Sequence, residues 1–341
     1  MRVLVTGASG FIGSHAVAAL LADGHKPLLL VRNPEKTRRV LANLGVVEPV
    51  SLHEADIRDT VAVRSGLEQC DAVIHAAAEI GVISQAGDSA GTNVAGLKNV
   101  LGQAVELGLD PIVHISTIGV FVPPAGPVIT TESPLSAPRN DYGRTKVLGE
   151  RYARQLQDQG MPITIVYPAG VIGPYQPSLD TLMEGLRAGL KQGWPITSGG
   201  AGVVDVRDLA VVLARCVEPG RGPRRFMLGG HYLTWAQLAD VCDEVTGGRC
   251  RRFRVPRAVL RGAAAALDAV KLIKKIDYPL TRDAVEMMVT MVRTYDTPTL
   301  EALGVELRPV QETIADSLRW LAQEGHLPPV KVGRLAGKVT P

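Results

Sequence analysis

The chain opens on an apolar run, Val3 to Val5, that leads without a break into Thr6-Gly7-Ala8-Ser9-Gly10-Phe11-Ile12-Gly13. Three glycines at a spacing of three, after a strand and at the start of a helix, restrict what can follow. Glycine permits the tight turn and lets backbone amides approach a pyrophosphate, whose charge is favoured at a helix N-terminus. The spacing alone is weak, because 36 glycines in 341 residues produce about 0.4 such patterns by chance. Its setting makes it specific, and the segment predicts a dinucleotide loop over Gly7, Ser9, Gly10, Phe11, Ile12 and Gly13.

Further apolar runs recur at Leu28 to Val31, Val50 to Leu52, Ala72 to His75, Ile112 to Ile115 and Ile163 to Tyr167, with helical stretches between them. Unbroken apolar strands alternating with amphipathic helices are what a parallel sheet covered on both faces demands. The pattern is that of a doubly wound α/β fold. Beyond residue 170 the regularity fades into loops rich in Gly and Pro, at Val171 to Pro177 and Gly193 to Gly202. Val203 to Val217 again reads as a strand entering a helix, so a second lobe is interleaved rather than appended. From Thr234 the chain reads mainly helical, and His326 to Pro341 reads as a flexible tail. These boundaries assign residues 1–170, with 203–230 returning, to a dinucleotide domain, and residues 171–202 and 231–325 to a smaller substrate lobe.

The second strand ends at Arg32, 25 positions after Gly7, where an NAD-binding chain often carries Asp or Glu for the ribose hydroxyls. A guanidinium can grip a 2′-phosphate that a carboxylate would repel, which favours NADP(H) and leaves NAD(H) open. Arg32 also reads as a solvated surface residue, and Lys36, Arg38 and Arg39 as the outer side of the next helix. Asp56, with Ile57 beside it, follows the third strand, where a carboxylate can accept from the adenine amino group or cap a helix.

Tyr142 and Lys146 stand four residues apart in a segment that reads as helix through Gln155, so both project from one face. A tyrosine titrates near pH 10; bringing it toward 7 takes about 3 pH units, roughly 4 kcal/mol, part of which a nearby ammonium can supply. Such a phenol is a usable acid toward a carbonyl oxygen receiving hydride, or a base toward an alcohol. Ser116 and Thr117 end the fifth strand, on the edge where doubly wound sheets bind ligands, although capping the turn is an alternative use of either hydroxyl.

Taken in order, the glycine loop, Ile74-His75-Ala76-Ala77-Ala78, Thr92-Asn93-Val94-Ala95-Gly96, Ile115-Ser116-Thr117, Tyr142 to Lys146, and Tyr167-Pro168-Ala169-Gly170-Val171-Ile172-Gly173-Pro174 resemble the extended short-chain dehydrogenase/reductases, also called the NAD-dependent epimerase/dehydratase family. The resemblance is firm to about residue 215 and looser to about 325. Arg32-Asn33-Pro34, Tyr295-Asp296-Thr297 and Leu300 to Gly304 are similar to the dihydroflavonol reductase and hydroxysteroid dehydrogenase branch. The resemblance implies a Rossmann-type sheet with Tyr142 as acid/base and Lys146 tuning it and holding the nicotinamide ribose. It further implies Thr117 on the substrate oxygen and Ser116 on the cofactor side. Ala76, Ala77 and Ala78 would form a small-residue wall, and Pro168, Gly170 and Val171 would border the nicotinamide. Asn93 matches a family asparagine for which a structural role is equally open.

The implied activity is NADP-dependent reduction of a ketone or aldehyde, or oxidation of the alcohol. Alternatives are a nucleotide-sugar epimerase or dehydratase with tightly bound NAD, and a non-catalytic NADP-sensing regulator. Tyr167, where many epimerases carry arginine, weighs against the first alternative; the retained Tyr142 and Lys146 weigh against the second.

Four separated cysteines without a Cys-x-x-Cys pair suggest neither a metal nor a disulfide framework, and fit a reducing, cytoplasmic setting. The strand at the second residue leaves no space for a signal sequence, and no window of 18 apolar residues suggests a membrane span. A formal charge of +3 argues against a nucleic-acid partner, and a homodimer is compatible with this class. That sum conceals an asymmetry. Residues 249–275 hold nine basic residues against Asp268 alone, a net of +8, leaving −5 for the rest. Around an Ala/Leu-rich stretch this basic element could lie on an anionic membrane, meet an anionic substrate or simply be solvated.

Overall fold

The computed structural model describes residues 1–47, 49–78, 89–138, 141–271 and 282–337, with backbone alone for 89–92, 141, 142, 268–271 and 283. Strand and helix alternate at first: β1 (Arg2–Thr6), α1 (Phe11–Ala22), β2 (Lys26–Val31), α2 (Pro34–Asn43), β3 (Ser51–Glu54) and α3 (Thr60–Leu67). Then come β4 (Ala72–His75), α4 (Ser89–Glu106), β5 (Ile112–Ile115), a 3-10 turn at Ile118–Phe121, β6 (Val128–Ile129), α5 (Asp141–Asp158) and β7 (Ile163–Pro168). All six apolar runs are strands, the third shifted from Val50–Leu52 to Ser51–Glu54. The chain continues through β8 (Gly170–Ile172), α6 (Thr181–Gln192), β9 (Trp194–Ile196), β10 (Gly200–Asp205), α7 (Val206–Arg215) and β11 (Arg224–Leu228).

Seven of these strands form one parallel sheet in the order β11-β7-β5-β4-β1-β2-β3. Burial on both faces explains the apolar runs. Val3 and Val5 point to one face, against Val17 and Leu20 of α1 and Leu209 and Leu213 of α7. Leu4, between them, points to the other, against Leu67 of α3 and Leu101 of α4. The strand period of two thus divides one tripeptide between two cores. The chain moves outward from β1 to β3 and then returns to β4 on the opposite side. In such sheets the carboxyl ends of the strands at this reversal open a crevice.

The remaining elements are β12 (His231–Thr234), α8 (Trp235–Thr246), β13 (Arg252–Arg254), α9 (Arg257–Lys271), α10 (Arg282–Thr290), β14 (Arg293–Thr294), α11 (Thr297–Leu303), α12 (Val310–Gln323) and α13 (Pro329–Val332). A third core joins Met183 and Leu186 of α6, Leu238 and Cys242 of α8, and Ile314 and Leu318 of α12. β10 pairs with β8 and β12 in a small sheet beside this core, so the strand read at Val203 serves the second sheet while α7 returns to the first. Arg207 of α7 bridges Asp205 and Asp316 of α12, tying the two regions.

The segment read as a flexible tail is ordered packing through residue 337. Leu327 and Val332 are buried in the third core, and the Arg334 guanidinium donates to the carbonyls of Glu244 and Val245 at the end of α8. Its Pro and Gly residues end short helices there rather than releasing the chain; residues 338–341 lie outside the described residues.

Candidate active site

The glycine loop joins β1 to α1 at the reversal. Gly7 has a φ of +75°, and a Cβ there would lie 2.7 Å from the Ala77 nitrogen, so both conformation and space require glycine. At Gly13 a Cβ would overlap the Gly7 carbonyl, which brings α1 close against the turn. Gly10 is the N-cap of α1 and offers no side-chain cap, whereas Asn33, Asp59 and Asp180 cap α2, α3 and α6 through their side chains. The first turn of α1 is therefore a helix N-terminus of the kind that receives anions.

A cleft of about 190 Å³ extends from this loop. Of the predicted residues, Gly7, Ser9, Gly10, Arg32, Asp56, Ile57, Ala76, Ala77 and Ala78 line it. Lys36 and Asn93 line it as well; Lys36 had an equally good reading as surface. Phe11, Ile12 and Gly13 stand behind the loop in the first turn of α1, and Pro168, Gly170 and Val171 lie on β7 and β8, outside the cleft wall. Two cations and a backbone-lined turn fit a phosphorylated dinucleotide. The Asp56 carboxyl is held down at about 2, chiefly by hydrogen bonds from the Arg58 side chain, with the Arg32 charge contributing. Both carboxyl oxygens accept from Arg58 at 2.9 Å, so Asp56 shapes the cleft already engaged.

The Thr6 hydroxyl accepts from the Ala77 amide at 3.2 Å and lies 2.9 Å from His75 Nδ1, pinning the ends of β1 and β4. His75 and His114 stack at 5.9 Å between centroids, both fully enclosed. Burial draws His75 down to about 3 and His114 well below its usual value, and in both the Lys146 charge adds to the effect. Lys146, on α5, thus faces the ends of β4 and β5, where burial lowers its ammonium to about 8. Tyr142 lies one turn earlier on α5; its side chain is outside the described residues.

Thr117 Oγ1 accepts from the Gly119 amide at 3.1 Å and caps the 3-10 turn, which leaves the hydroxyl proton to be donated. Ser116 departs from its expected cofactor-side role. Its hydroxyl is buried and donates to Glu150 Oε2 at 2.8 Å. Glu150 is a hub that the sequence reading missed: Oε1 accepts from the Tyr167 phenol at 2.6 Å and from Arg154 Nε at 2.6 Å. Burial, then the Glu150 charge, pushes the Tyr167 phenol well up. The available signal was position, since Glu150 follows Tyr142 and Lys146 at helical spacing of four.

Of the basic segment 249–275, Lys274 and Lys275 lie outside the described residues, as do the side chains of Asp268 and Lys271. Among the described residues no helix is long and apolar enough to cross a membrane, and no cluster of three His, Cys, Asp or Glu could hold a metal.

Comparison with known proteins places this geometry in company. The model of the NAD dependent epimerase/dehydratase family matches residues 3–229. Sterol demethylase protein B of Methylococcus capsulatus is 26% identical over 95% of this chain and 99% of its own. Cinnamoyl-CoA reductase 1 of Oryza sativa subsp. japonica is 26% identical over 96% and 92%. A UDP-glucose-4-epimerase structure from Stenotrophomonas maltophila, with bound NAD and formylated UDP-arabinopyranose, superposes with a TM-score of 0.73 at 20% identity, covering 96% of this chain and 99% of that one.

Proposed function

We propose that this chain, which belongs to the NAD dependent epimerase/dehydratase family, is an NADP-preferring reductase of ketones or aldehydes, or dehydrogenase of the matching alcohols, with Tyr142 as general acid/base. The observation that carries the reading is the buried Lys146 ammonium at the ends of β4 and β5, one turn after Tyr142 on α5. A relative that is named a reductase supports the same direction of chemistry.

The bound dinucleotide supplies the hydride. Gly7 and Gly10 leave room for its pyrophosphate, Arg32 and Lys36 hold the 2′-phosphate, and Ala76 and Ala77 keep the wall thin. Thr117 donates its hydroxyl proton to the substrate oxygen, which gathers negative charge as hydride arrives. Tyr142 then delivers the phenolic proton to that oxygen, and Lys146 eases its departure by stabilising phenolate. With Lys146 titrating at about 8, the charge that supports Tyr142 is full at neutral pH and is lost above that value.

Tyr142→Phe removes the proton donor alone. It should lower NADPH oxidation against a carbonyl substrate by about 100-fold or more, with NADPH binding retained in a fluorescence titration. Undiminished turnover would reject the mechanism. Sugar-nucleotide turnover by the purified protein without added cofactor would favour the epimerase reading instead.

A further inference from the structure

Residues 251–267 contain five arginines, and every other residue there is apolar or glycine. In the structure they form β13 and most of α9. The inner side of α9 carries Leu260 and Ala264, which pack on Val285, Met288 and Val289 of α10. The outer side is also apolar: Val259 is 58% exposed, and Ala258, Gly262, Ala263 and Ala266 are exposed around it. Phe253 of β13 adds an aromatic ring that is 43% exposed.

Arginines rim this face. Arg252 is held by Asp240 and Asp243, and Arg261 by Glu286. Arg249, Arg251, Arg254 and Arg257 are exposed and form no ion pair among the described residues.

We propose that the β13–α9 face, with Val259 and Phe253 at its centre and Arg249, Arg251, Arg254 and Arg257 around it, docks on an anionic lipid bilayer. Charge complementarity argues for this occupant. A face built from Arg and aliphatic groups without a neutral hydrogen-bonding side chain suits a headgroup layer, where guanidinium meets phosphate and apolar tips enter the acyl boundary. A nucleic acid or an acidic protein would be met by a polar rim, which this face lacks. The other side of the hairpin reaches the site. The Met287 methyl of α10 lies 3.5 Å from where a Gly119 Cβ would stand, two residues from Thr117. Docking therefore sets the Thr117 edge beside lipid and favours apolar, membrane-partitioned carbonyl substrates, a consequence that rests on the proposed function whereas the surface itself does not.

The test is co-sedimentation of the full chain with vesicles, read without substrate. The protein should pellet with phosphatidylglycerol vesicles at low salt, be released by high salt, and stay in solution with pure phosphatidylcholine. Arg254→Ser and Arg257→Ser should each weaken binding about fivefold, and Val259→Glu should abolish it, all with unchanged circular dichroism and unchanged NADPH oxidation of a water-soluble aldehyde. No pelleting with anionic vesicles at low salt, equal pelleting of Val259→Glu, or tighter binding to duplex DNA than to vesicles would each overturn the proposal. If wild-type protein pellets but oxidises no NADPH with any carbonyl, the catalytic reading fails and the docking surface stands.

Discussion

Arg32 and Lys36 share a cleft wall with Asp56, whose charge is already matched by Arg58. The net field at this end of the cleft is therefore positive, as a 2′-phosphate requires. Arg32→Asp reverses one of those charges and supplies an acceptor for ribose hydroxyls. The ratio of kcat/KM for NADP(H) over NAD(H) should fall roughly 10- to 100-fold, measured with both cofactors on one substrate; an unchanged ratio would remove Arg32 from the site. The glycines were legible in the sequence because their requirement is local: Gly7 needs a positive φ and Gly13 a close approach within the same loop. Ser116 was misread because its partner is not local. A hydroxyl at a strand end looks ligand-facing until the Glu150 carboxylate, 34 residues on, claims it.

Among the elements, α5 is held in place by one carboxylate. Glu150 takes a hydrogen bond from β5 through Ser116 and another from β7 through Tyr167, while Arg154 on its own helix closes the network and reaches the Thr131 carbonyl. The three segments that carry Thr117, Lys146 and Pro168 thus meet at a fully buried charge. Glu150→Gln leaves Arg154, with 18% of its side chain exposed, short of its counter-charge. It should cost about 3 kcal/mol of stability, the lower range for breaking a buried pair, read as a drop in the urea midpoint; a loss under about 0.5 kcal/mol would show the network to be replaceable. Elements with six apolar runs were readable from pattern alone. β11 was not named as a strand because Arg224 and Arg225 occupy its first half, a composition that only an edge position accommodates, with Arg224 bonding back to Thr164 and the Cys216 carbonyl. The C-terminal residues looked like a tail because Pro and Gly dominate them, while the two that matter, Leu327 and Val332, gain meaning only from the α8 and α12 surface they meet.

The whole molecule folds around two imidazoles that cannot hold a proton. His75 and His114 are neutral in the folded state, with His75 at about 3 and His114 well below its ordinary value, whereas both titrate near 6.5 in the unfolded chain. Below pH 6.5 the unfolded state binds protons the folded state refuses, so the stability these residues contribute is complete above 6.5 and is lost progressively as pH falls toward 3. Each imidazole contributes a slope of about 1.4 kcal/mol per pH unit within that window. Urea unfolding at pH 7.5 and 5.0 should show a markedly lower midpoint at the acid value, and a flat profile would mean that water or a rotamer change satisfies these rings. The alternating order of strands and helices made the sheet readable at this scale, and the placement of the reversal between β1 and β4 followed from it. The third core did not, because its helices come from segments more than 100 residues apart, such as Leu186 and Ile314.

The opening of α1 carries a cost that the rest of the chain avoids. A serine in place of Gly10 could bring a helix cap worth about 1 kcal/mol, yet its Cβ would press to 3.2 Å from the Gly7 carbonyl and its hydroxyl would occupy the amides that face the cleft. Selection for thermal stability and selection for nucleotide affinity therefore pull residue 10 in opposite directions, and its glycine records which of the two prevailed.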